Sequence, residues 1–133
     1  MIVVDASAVV ELLLRTPVGA RVEARLFDRP ASLHAPHLLD VEVAQVLRRF
    51  VTTGRLSPAR GATSLRLLDE FPLRRHSHQP LLSRIWGLRA NLTAYDASYV
   101  ALAEALGAAL VTTDVRLGAA PGVRVPIEVI AAP

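Results

Sequence analysis

The sequence predicts an α/β domain built on a mostly parallel sheet with helices on both faces. Three observations carry that prediction. Short apolar runs of strand length, IVV at 2–4 and ALVTT at 109–113, are separated by segments whose apolar residues recur at helical spacing. The two patterns alternate along the chain, and parallel strands require crossovers of helix length. Prolines, glycines and hydroxyl residues stand where such helices should start and stop.

Taken in order, residues 2–4 read as a buried strand, and Ser7–Leu14 as a helix capped by Asp5 or Ser7. Pro17 opens a second helix to about Asp28, with Val18, Val22 and Leu26 on its apolar face and Arg21, Arg25 and Arg29 as a basic stripe. Ser32–Ala35 reads as a strand. After Pro36 comes a helix whose Leu39, Val43, Val46, Leu47 and Phe50 share one face, and Gly54 ends it. Ser57-Pro58 caps and opens a helix to about Glu70. Pro72–Ser77 reads as a short strand and Leu81–Leu88 as an amphipathic helix that uses Trp86 for core packing. Thr93 and Asp96 have capping-box spacing before a helix that Gly107 terminates, and ALVTT follows directly. Val123–Ile130 is the last strand, with Pro126 indicating an edge or a bulge.

At 133 residues the chain is expected to form one domain, residues 1–133, large enough to bury roughly two thirds of its unfolded surface. It has no cysteine, which excludes a disulfide framework and thiolate metal ligation and suits a reducing compartment. No secretory leader and no membrane-length apolar run is evident, so a cytoplasmic setting is expected. All 15 basic residues are arginine, against 12 acids. A mean hydropathy of +0.37 is high for so small a chain, and implies a generous core or an apolar patch reserved for a partner.

In open parallel sheets, ligands bind beyond the carboxyl ends of the strands where the strand order reverses. Asp5 follows IVV and Asp114 follows ALVTT, so both belong at that edge. Each acid taken singly has an ordinary explanation: Asp5 and Asp114 as turn caps, Asp96 as part of a capping box, Glu42 as a solvated helix residue. Glu42, however, falls about 60 degrees from Leu39 and about 40 degrees from Val46 on the helical wheel, at the margin of the core. An unpaired carboxylate there is costly.

Four converging acids in a chain without lysine need a cation, because neighbouring carboxylates raise each other's pKa. All-oxygen ligation favours a hard ion such as Mg²⁺ or Mn²⁺, completed by water and substrate phosphate. Without those four acids, the other 8 face 15 arginines and leave +7 on the remaining surface. An acidic hole in a basic surface suits a polyanion cut with the help of a metal.

Other phosphate chemistries fail on particular residues. A haloacid-dehalogenase-like phosphatase needs a second aspartate at position 7, which is serine, and both it and a response-regulator receiver need a lysine. There is no P-loop, and DASAV is not a nucleophile elbow. His34, His37, His76 and His78 include an H-x-H pair, but no third zinc ligand stands at a familiar spacing, so they read as surface or loop histidines. Tyr95, beside Asp96, lines a site or packs; Asp40 reaches a metal or lies on the other flank of its helix.

The ordered set IVVDASAVV, P-x(5)-E-x(4)-L around Glu42, YDASYVALA and T-x-D-x-R-L resembles PIN-domain ribonucleases of the VapC toxin type, over almost the whole chain. Gln45 departs from the pattern, standing where relatives often carry asparagine. The resemblance implies a three-layer α/β/α domain with a central, mostly parallel sheet. It implies Asp5, Glu42, Asp96 and Asp114 as catalytic metal ligands for Mg²⁺ or Mn²⁺, with Ser7 and Thr112 orienting the acids or bound water. The implied activity is metal-dependent cleavage of RNA, restrained by a VapB-like antitoxin, and the implied assembly is a homodimer. The competing expectation is a catalytically silent α/β module that binds RNA or a protein through the same surface.

Overall fold

A computed structural model describes residues 1–132. The central sheet contains β1 (Ile2–Val4), β2 (Leu33–Pro36), β3 (Leu73–His76), β4 (Ala109–Thr112) and β5 (Ile127–Val129). Their order is β3-β2-β1-β4-β5, and every neighbouring pair is parallel. The chain therefore builds outward from β1 through β2 to β3, then returns to add β4 and β5 on the other side. The order reverses between β1 and β4, and Val4 pairs with Val111 there. Asp5 and Asp114 leave these two adjacent strands at their carboxyl ends.

The helices are α1 (Ala6–Leu13), α2 (Pro17–Phe27), α3 (Leu38–Thr52), α4 (Pro58–Glu70), α5 (Leu82–Gly87), α6 (Ala94–Leu106) and the short α7 (Val115–Gly118). Side-chain caps begin several of them: Asp5 accepts from the Ala8 amide, Thr16 from Gly19, Ser57 from Arg60 and Thr93 from Asp96. Such caps satisfy amides that the helix itself leaves open. Gly107 ends α6 at φ 62°, the left-handed conformation glycine adopts without a Cβ penalty. Gly19 has a different reason: a Cβ there would lie 2.0 Å from the Glu11 carbonyl oxygen, so α1 and α2 cross too closely for any side chain.

α1 to α4 pack with one another and α5 packs with α6, while α6 also covers β1, β2 and β4. The arrangement is the expected α/β/α sandwich. Its core includes Val3, Val4, Val9, Leu39, Val43, Val100, Leu110 and Val111, all with essentially no exposure. β5 is an edge strand, with Pro126 just before it. Arg25 of α2 fastens it through a bidentate pair with Glu128 at 2.6 and 2.9 Å. Among the described residues, no helix is long and apolar enough to cross a membrane.

Two expectations fail. Trp86 is 68% exposed, with Arg89 stacked over its ring at 4.6 Å, because the single turn and a half of α5 buries Ile85 and turns the indole outward. His34 is a buried residue within β2 rather than a surface one, and its ring reaches His76 of β3 at 2.7 Å and Ser32 at 2.8 Å. Those hydrogen bonds are what make a polar ring tolerable inside the sheet.

Candidate active site

Asp5, Glu42, Asp96 and Asp114 line one cavity of about 300 Å³ at the reversal point of the sheet. Asp5 is held most firmly. It caps α1 through Oδ1, which accepts from the Ala8 amide at 3.1 Å and the Ser7 hydroxyl at 2.7 Å, while Oδ2 accepts from the Thr112 hydroxyl. Ser7 Oγ also accepts from the Thr113 amide, and Thr112 Oγ1 from the Asp114 amide. Both hydroxyls thus tie the end of β1 to the end of β4, and Asp5 is a cap and a cavity residue at once. Ser7 and Thr112 are thus the two hydroxyls that hold the Asp5 carboxylate.

Glu42 stands on α3 at the core margin, half-buried as its helical position requires. Its Oε1 accepts from the Tyr99 hydroxyl at 2.5 Å. Tyr99 lies on α6, three residues after Asp96, and is itself buried. The sequence reading did not find it. A signal was present, since a carboxylate at a core margin needs a donor and Tyr99 is the polar-tipped aromatic on the inward face of α6.

Asp96 accepts no capping-box return bond from the Thr93 amide among the described residues; its carboxylate serves the cavity instead. Asp114 caps α7 through the Arg116 amide at 2.9 Å, and the Arg116 guanidinium approaches it to 3.5 Å. Asp40 does not join them. Its carboxylate pairs with Arg75 at 2.7 and 2.9 Å on the other flank of α3.

Burial pushes the carboxyl groups of Asp5, Glu42 and Asp96 above the usual range, and their mutual repulsion adds to it. For Asp5 the bonds from Thr112, Ser7 and the Ala8 amide oppose the rise; for Glu42, the bond from Tyr99 does. Asp96 also feels Asp114, offset by Thr93 and Arg116. Burial and the adjacent Glu42 push the Tyr99 hydroxyl far up, so it remains a donor. A site that disfavours its own charges is one that a cation would relieve.

The donor set fits a hard divalent ion: four carboxylates, with hydroxyls behind them and no soft ligand in the cavity. Among the described residues no group of three or more His, Asp or Glu side chains is placed to hold a metal ion as it stands. Magnesium needs only one or two protein carboxylates, with water and substrate oxygens completing the shell. A larger cavity, about 580 Å³ between α1, α2 and α4, lacks this chemistry and mixes Leu12, Leu13 and Phe71 with the charges of Arg15, Glu23 and Glu70. The acidic one is smaller and is the one where the sheet topology converges.

Comparison with known proteins decides the family. The PIN domain family model matches residues 2–123. The chain belongs to the PIN-domain family. Within it, the chain is 46% identical over 130 residues to ribonuclease VapC9 of Mycobacterium tuberculosis, covering 98% of each. It is 43% identical over 131 residues to ribonuclease VapC12 of the same organism, covering 98% of this chain and 100% of the relative. Its fold matches VapBC2 from Rickettsia felis, solved bound to a DNA fragment from their promoter, with a TM-score of 0.70 at 14% identity over 96% of this chain and 98% of that one. The chain is thus a VapC-type PIN domain, as the ordered motifs indicated.

Proposed function

We propose that this PIN domain is a metal-dependent endoribonuclease, the toxin member of a toxin-antitoxin pair, with Asp5, Glu42, Asp96 and Asp114 as its catalytic acids. One observation carries the reading: four carboxylates from four separate elements line a single cavity at the strand-order reversal, three of them with pKa values pushed up by burial and by one another. The VapC relatives carry the name ribonuclease over essentially the full chain, which supports RNA as substrate. Residues 1–133 would act as one PIN-like unit, in the cytoplasm where RNA is met.

Each residue has a distinct task. Ser7, Thr112 and the Ala8 amide fix both oxygens of Asp5, so its orientation is set before anything binds. The Tyr99 hydroxyl leaves Glu42 one oxygen free toward the cavity. Asp96 and Asp114 close the opposite wall. When bound, Mg²⁺ or Mn²⁺ would supply positive charge for in-line attack of water on the phosphodiester and for the negative charge growing on its oxygens.

A VapB-like antitoxin fits the groove between α1, α2 and α4, whose mixed apolar and charged lining suits an amphipathic helix. The exposed Val41, Leu82, Trp86 and Tyr95 provide apolar surface for a homodimer contact. The test of the activity is direct. Purified protein should cleave single-stranded RNA in Mg²⁺ or Mn²⁺, and EDTA or Asp114→Asn should abolish cleavage. RNA binding without cleavage under every metal condition would replace the enzyme by the silent binding module.

A further inference from the structure

Arg25, Arg75 and Arg84 each grip a carboxylate in bidentate fashion, on Glu128, Asp40 and Glu104. Among the described residues most of the fifteen arginines pair with no acid, and Arg49 is the one of these that lines the cavity where acids are most concentrated. It lines the acidic cavity from α3, on the same face as Glu42 and Gln45, which precede it by seven and four residues. Yet its guanidinium makes no ion pair or hydrogen bond among the described residues.

A second arginine stands at the far side. A neighbouring cavity of about 230 Å³ shares Asp96 and Asp114 with the first and is bounded by Asn91 and Arg116. Arg116 is 92% exposed, and its guanidinium only grazes Asp114 at 3.5 Å. The two cavities share the acids Asp96 and Asp114, and taken together as one trench they have Arg49 in the lining of one and Arg116 in that of the other. Asp114 takes two Arg116 donors at the long distance of 3.5 Å, and no carboxylate takes those of Arg49. An anion passing over the acids would take both sets, and the planar donors of arginine match a phosphate oxygen pair.

Building on the ribonuclease reading, we propose that the RNA backbone crosses the acidic cavity along the trench from Arg49 to Arg116, and that these two residues hold the phosphates on either side of the one that is cut. Gln45 and Asn91, beside them, offer amides for the sugar hydroxyls or base edges of the same two nucleotides. The acids then act on a phosphodiester positioned through its two neighbouring phosphates. Arg49 is the cleaner probe, because Arg116 also touches Asp114.

The experiment measures cleavage of a short single-stranded RNA in Mn²⁺ over a series of salt concentrations for wild type, Arg49→Ala, Arg49→Lys, Arg116→Ala and the remote, exposed Arg60→Ala. Arg49→Ala should raise KM about five- to tenfold, and lower kcat by less than that. Its plot of log KM against log salt should lose about 0.7 of slope, the share of one single-strand phosphate. Arg49→Lys should recover much of the loss, Arg116→Ala should lose a similar slope, and Arg60→Ala should match wild type. The thermal shift produced by Mn²⁺ should be the same for Arg49→Ala as for wild type, which separates phosphate contact from damage to the acids.

An unchanged KM and salt slope in a folded Arg49→Ala overturns the path. So does a loss equal to that of Arg60→Ala, or a loss of affinity for a protein partner with RNA kinetics intact. Should Arg49→Ala unfold, Arg49→Gln and the Lys variant carry the same comparison. No cleavage by wild type itself would instead overturn the ribonuclease reading on which the path rests.

Discussion

Replacing Asp5 by asparagine separates its two positions, as a helix cap and as a cavity acid. As an N-cap, asparagine is about as good as aspartate, so a residue that only caps α1 should tolerate the change. The bonds from Ser7 and the Ala8 amide to the retained oxygen lose their charge assistance, roughly 1 kcal/mol each, and the bond from Thr112 is lost as it stands because the NH2 replacing Oδ2 only donates. Against this, the variant removes a carboxylate that burial and Asp96 both penalise. The opposing terms leave the metal-free variant within about 1–2 kcal/mol of wild type, a shift of several degrees in Tm at most. Function should respond on another scale. Loss of one preorganised electrostatic group typically costs about 10²–10³ in kcat, and saturating Mn²⁺ at about 100 Kd adds about 2.7 kcal/mol, on the order of 10 °C, to a protein that binds it. We expect cleavage to fall at least about a hundredfold and the Mn²⁺-induced rise in Tm to shrink to a small fraction. The assays are RNA cleavage by gel and calorimetry with and without Mn²⁺. A folded Asp5→Asn with wild-type cleavage and the full Mn²⁺ shift would show that Asp5 is a cap and nothing more.

The pH dependence of stability has a definite sign. Asp5, Glu42 and Asp96 titrate higher when folded than unfolded, so the folded state binds protons more readily and metal-free protein should gain stability as pH falls from neutral toward the ordinary carboxylate range. Below the ordinary carboxylate range the trend reverses, because the hydrogen bond from Arg84 holds Glu104 below its usual value and that support is lost on protonation. Calorimetry across this range should show a maximum in mild acid, and Asp96→Asn should flatten the approach from neutral pH. Tyr99→Phe should cost about 1–2 kcal/mol by leaving Glu42 without its donor, and should move the acidic limb of the pH-rate profile upward because Glu42 then protonates more easily. Gly19→Ala should destabilise by about 1–3 kcal/mol in urea unfolding, since the added methyl would meet the Glu11 carbonyl and force α1 from α2; an unchanged midpoint would contradict that close crossing.

The elements were legible because local chemistry agrees with the global fold at nearly every boundary: Pro17 and Pro58 open helices, Gly107 closes one, and IVV and ALVT are the two central strands. The four acids were legible because a strand end and a helix face can be located from spacing alone. What escaped the reading depends on contacts between distant elements. Trp86 has the right position for an apolar face, but α5 is too short for both Ile85 and Trp86 to meet the core. His34 was read as polar and therefore outside, whereas the partner that makes its burial tolerable stands 42 residues away, in β3. Asp40 and Glu42 are two residues apart on one helix, and only the position of Arg75 shows which of them is neutralised.

Tyr99 and Arg49 show why the site needs more than its carboxylates. Alternation along α3 brings Glu42, Gln45 and Arg49 to one cavity, while the next turns bury Val43 and Leu47 in the core, so the same helix fixes both the acid and the cation with no loop between them. Arg49 and Glu42 stand seven residues apart on one packed helix, so an anion held by Arg49 is held within a limited distance of Glu42 as well. Burial and neighbouring carboxylates both disfavour the charges of Asp5, Glu42 and Asp96. A fold selected for stability alone would replace Asp5 with an uncharged cap, at little local cost. Keeping the carboxylate there, tied by two hydroxyls from opposite sides of the sheet's reversal, makes sense if the missing counter-charge comes with the ligand.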